Sequence, residues 1–117
     1  MSPSQPPSTL AAAHQVLAAL EQYRGRVQRL VSHFLDAELY QATSSDLDAV
    51  RTACAAVPAL SASWVALLIA HAEFVHGLWQ STRAGDAPTE ADRQALLDRV
   101  LETSTSLQRA CMALVGH

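Results

Sequence analysis

The stretch WVALLIAHAEFVHGLW, from Trp64 to Trp79, constrains the fold of this chain more than any other. On a helical wheel with His71 at zero, Trp64, Leu67, Leu68, Phe74, Val75 and Leu78 fall within about 60° on either side. Val65, Ile69, Ala72 and Trp79 carry the apolar arc on through about 80–160°. A helix in a small bundle buries a face of somewhat over 100°. This segment exceeds that, so it needs more than one neighbour, either another helix of the chain or another molecule.

The rest of the chain agrees with a helical reading. Half of the 117 residues are hydrophobic, but only 5% are aromatic. Alanine and leucine, which favour helices, supply much of the total, and residues that favour strands are sparse. Neither Asn-Gly nor Asp-Gly occurs as a hairpin signal. At this length one core and one domain are expected.

Residues 1–8, MSPSQPPS, carry three prolines and no apolar pattern, and read as a disordered tail before a domain over 9–117. A first helix is predicted from about Leu10 to Gln41, with Leu10, Ala13, Val16, Leu17, Leu20, Val27, Val31, Phe34 and Leu35 on one stripe. Gln22, Arg26, Arg29, His33 and Tyr40 form its solvated side, and Gly25 permits close packing or a bend. Thr43–Asp46 (TSSD) breaks this helix, with Ser45 as the next N-cap. Because Val50, Ala53, Val57 and Leu60 keep phase with Trp64 across Pro58, a single kinked helix from about Ser45 to Arg83 is favoured. A short helix followed by a separate long one is the alternative.

Gly85, Pro88 and the pair Thr89 and Asp92 mark a boundary and a capping box. The last helix then runs from about Glu90 to Val115, with Ser104 inside its apolar stripe. The expected fold is all-α: an antiparallel up-down bundle of three long helices, or four if Pro58 separates two.

Several function classes are excluded or disfavoured. The formal charge is −3 and all eight basic residues are arginine, which gives no electrostatic footprint for nucleic acid. The N-terminus lacks the basic and apolar regions of a secretory signal, so a cytoplasmic protein is expected. The apolar stretch covers about 24 Å as a helix, short of the roughly 30 Å hydrocarbon core, and Glu73 would sit within it. No membrane span is expected. Cys54 and Cys111 fall on apolar stripes without metal or redox spacing, as free buried thiols. No Gly-x-Ser-x-Gly, Walker-type or dinucleotide-binding motif occurs, so no catalytic residue and no cofactor is assigned.

The polar residues of the apolar stretch separate onto different faces. His71 centres on the broad apolar arc and requires a partner; Glu38 is slightly preferred over Ser104, with Arg24 on a comparable stripe. Glu73 and His76 are neighbours three apart, a spacing that ferritin-like di-iron bundles use twice. A second Glu-x-x-His is absent here and this one faces away from the stripe, so the pair is read as a solvated rim.

The expected function is a non-enzymatic protein-interaction module. It would be a homodimer, or an adaptor, chaperone or inhibitor, with Val65, Ile69, Ala72, Trp79 and Arg83 as its surface. The alternative is a small metal- or ligand-binding bundle that uses His71, Glu38, Glu73 or His76. A histidine phosphotransfer-like bundle is a remote third reading, resting on size alone.

Overall fold

The computed structural model describes residues 7–80 and 89–116. Among them are four α-helices and no strand: α1 (Pro7–Ser32), α2 (Ala37–Ala55), α3 (Ser61–Gln80) and α4 (Glu90–Val115), with a 3₁₀ turn over Pro58–Leu60. The chain is all-α, as its composition requires. Pro7 and Ser8, expected in the tail, open α1.

The first helix is shorter than periodicity implies. It stops at Ser32, and Asp36 caps a new helix by accepting a hydrogen bond from Leu39 N at 3.0 Å. The apolar stripe runs through this break because α1 and α2 both face the core, so periodicity alone cannot locate it. Leu35, placed on the stripe, lies in the connection and is 76% exposed. Thr43–Asp46, expected to break the chain, lies inside α2. There Thr43 is buried and donates its hydroxyl to Leu39 O at 2.7 Å, the local bond by which a helix tolerates a mid-helix threonine.

Pro58 separates two helices, which corrects the favoured kinked helix. Val57 is extended (φ −132°, ψ 92°), as a residue before proline prefers, and Pro58 opens the 3₁₀ turn, where its missing N–H costs nothing. Val57 and Leu60 are both buried, which explains why the stripe keeps phase across a true break. The final helix has the expected bounds. Thr89 Oγ1 accepts from Asp92 N at 3.1 Å and Asp92 Oδ2 accepts from Thr89 N at 3.0 Å, the reciprocal capping box.

Burial follows a heptad-like seam. Val16, Leu20, Tyr23, Val27 and Leu30 alternate steps of four and three along α1, and Leu97, Val100, Ser104, Leu107 and Cys111 do so along α4. α1 packs along both α2 and α4, and α3 packs along α4. α2 and α3 touch only sparsely.

The partners run in opposite senses. Arg26 meets Asp46 while Gln15 shares a hollow with Thr52 and Ala53, and Arg24 meets Leu101 while Leu17 lies beside Met112. Arg26, expected to be solvated, forms a 2.7 Å ion pair with Asp46 that ties α1 to α2. Burial nevertheless outweighs the guanidinium and leaves the Asp46 carboxyl above its ordinary range.

Candidate functional site

The sparse contact between α2 and α3 leaves a groove of about 610 Å³. Tyr40, Gln41, Ser44 and Ser45 form its α2 wall, and His71, Ala72, Val75, His76 and Trp79 form its α3 wall. Tyr40 and Trp79 close one end in an edge-to-face pair, with centroids 6.3 Å apart and planes at 75°. Tyr40 Oη is buried and has no hydrogen-bond partner among the described residues.

His71 sits at the edge of the buried arc of α3. The fully buried residues Leu67, Phe74 and Leu78 centre some 40° away from it on the wheel, which leaves the imidazole half-buried and lining the groove. Its partner is neither Glu38 nor Ser104. Tyr23 Oη lies 2.7 Å from His71 Nδ1, joining α1 to α3 through the core. Burial pushes the His71 pKa down to about 4 and the Tyr23 phenol up, so both groups are neutral at pH 7.

Tyr23 lies off the apolar stripe that the sequence predicts for the first helix, yet it is wholly buried. The steps of four and three from Val16 to Leu30 place it at the centre of the α1 seam, and that was the available signal.

The other polar candidates serve α1–α4 packing or the surface. Glu38 is exposed in the first turn of α2. Ser104 is buried and bonded to Arg24, whose Nη1 donates to Ser104 Oγ (2.6 Å), Thr105 Oγ1 (2.8 Å) and Leu101 O (3.2 Å). These bonds meet the part-buried Arg24 charge with hydroxyls and a helical carbonyl.

Glu73 forms a 3.5 Å ion pair with Arg99 of α4, while His76 Nε2 lies 3.1 Å from Gln80 Nε2. The two therefore engage different partners. Among the described residues no group of three His, Cys, Asp or Glu side chains could hold a metal ion. Cys54 and Cys111 are free and buried, and burial raises both thiols to about 11.

A second feature borders the groove. Val65, Leu68, Ile69 and Trp79 are exposed by 48%, 42%, 52% and 58%, and they share one flank of α3 with exposed Ala72. Arg83 lies outside the described residues. Together with the preceding turn, Pro58–Gln80 is 23 residues long and holds an 18-residue window of mean hydropathy 1.4, long and apolar enough by length and composition to cross a membrane. The shortfall in length that holds for Trp64–Trp79 does not hold for this longer helix. The paired Glu73 and the face buried on α4 remain as arguments against a span.

Comparison with protein-family models, with curated proteins and with solved structures finds no match to this chain.

Proposed function

We propose that the chain is a non-enzymatic, cytoplasmic helical interaction module that pairs with a second copy of itself through the outer flank of α3. The observation that carries this reading is the cluster of Val65, Leu68, Ile69 and Trp79, four large apolar side chains at least 42% exposed on one helix. Scattered exposed apolar residues need no explanation, but a contiguous flank on one helix favours a contact. In a two-fold dimer the same flank faces itself, so every exposed side chain there gains an apolar neighbour. The metal-binding alternative gains no support from Glu73 and His76, since each is engaged elsewhere.

Sedimentation equilibrium over a wide concentration range tests the proposal, with Ile69→Arg as the variant. A dimer that Ile69→Arg converts to a folded monomer supports it. A wild-type monomer at every concentration, or a dimer indifferent to Ile69→Arg, overturns it. Flotation with neutral phosphatidylcholine vesicles separates a lipid-facing role for the same flank.

A further inference from the structure

We infer that the groove between α2 and α3 binds a small, uncharged molecule of one or two fused rings that carries a carbonyl oxygen, received by the His71 imidazole. The inference does not rest on self-association of α3. It follows from the shape of the groove, the character of its walls and the hydrogen bond behind His71.

At about 610 Å³ the groove lies within the range of small-molecule sites, which combine apolar walls with a few placed polar groups. Ala72, Val75 and the Tyr40–Trp79 corner supply the apolar surface, and the edge-to-face rings suit a flat ligand. None of the residues that line it is Asp, Glu, Lys or Arg, so nothing there neutralises a charged ligand. Of its two imidazoles, that of His71 is kept uncharged by burial.

Tyr23 sets which hydrogen His71 can offer. The Tyr23 hydroxyl is wholly buried, and His71 Nδ1 is its hydrogen-bond partner at 2.7 Å. A buried hydroxyl with that single neighbour donates to it, since the proton would otherwise lose its bond. Nδ1 then accepts, and the neutral ring carries its own proton on Nε2. Nε2 has no partner among the described residues, and His71 lines the groove. His71 therefore presents an N–H donor held in one tautomer by a residue of another helix. An N–H donor of fixed tautomer beside Ala72, Val75 and the Tyr40–Trp79 corner calls for an acceptor oxygen on an otherwise apolar ligand.

The test uses the full chain labelled with ¹⁵N and ¹³C, titrated with 1-indanone and, separately, with indane, the same skeleton without the oxygen. Saturable shifts of the Trp79 indole and the His71 ring are expected for indanone, with an affinity about fivefold above that of indane, the ratio one neutral hydrogen bond supplies. The ¹⁵N shifts of His71 should show the Nε2-protonated tautomer before any ligand is added. Tyr23→Phe should mix the tautomers and narrow the fivefold gap, and His71→Phe should close it.

Equal affinities in the wild-type chain, or shifts that never saturate, would overturn the inference. A preference for indanone that survives His71→Phe in a folded variant would do the same. Should both variants unfold, the wild-type ratio and tautomer decide alone.

Discussion

Removing the His71 imidazole should flatten the pH dependence of stability between pH 4 and 6.5. The folded chain keeps this ring neutral down to about 4, whereas the unfolded chain protonates it at the ordinary 6.5. Below pH 6.5 the unfolded state therefore binds a proton that the folded state refuses, and stability falls as the pH falls. The loss stops once the folded form is protonated too, near pH 4. At about 1.4 kcal/mol per pH unit, the interval between the two values amounts to about 3 kcal/mol. Desolvation is the cause, so the effect belongs to the burial of the ring against α1 and not to a neighbouring charge.

The assay is urea unfolding in half-unit pH steps, comparing the wild-type chain with the double variant Tyr23→Phe/His71→Leu. The double variant is preferable because His71→Leu alone strands the buried Tyr23 hydroxyl, at a cost of about 1–3 kcal/mol. All other titrating groups are common to both proteins, so the difference between the two curves isolates His71. If that difference does not change between pH 7 and pH 4, the imidazole is not held neutral by burial and the reasoning fails.

Three further outcomes follow from the packing. Arg24→Ala should lower stability by about 2–3 kcal/mol in urea titration, because it removes the charge-assisted bonds to Leu101, Ser104 and Thr105. Arg24→Lys should recover only part of this, since an ammonium cannot reproduce the guanidinium fork. Gly25→Ala should raise stability by about 1 kcal/mol, the helix-interior difference between the two residues, because an added Cβ meets nothing within 4 Å; a loss of stability would show that α1 needs a bend there. Cys54 and Cys111 should react with a disulfide reagent at pH 8 only as fast as the chain opens, and urea that unfolds the protein should release both at once.

The candidate site was only half legible in the sequence. His71 could be picked out as a polar residue on an apolar helix that needs a partner, and the Val65, Ile69 and Trp79 flank as a surplus of apolar circumference. Tyr23 lies 48 positions from His71, and its hydroxyl reaches the imidazole only because the fold brings one long side chain from α1 and one from α3 together in the core. On a helix continuous with α1, Tyr40 falls on the solvated face. The break at His33–Asp36 turns it instead toward Trp79.

Local rules determined what the sequence determines by itself. Helical class, the bounds of α4 and the Thr89–Asp92 capping box depend on residues within a turn of one another, and all are written in the chain. The tertiary structure decided where the first long helix breaks, that Pro58 separates α2 from α3, and which hydroxyl meets His71. An apolar stripe records that residues face the core and not that they belong to one helix. Two successive helices facing the same core therefore share one stripe, and only their packing reveals the break between them.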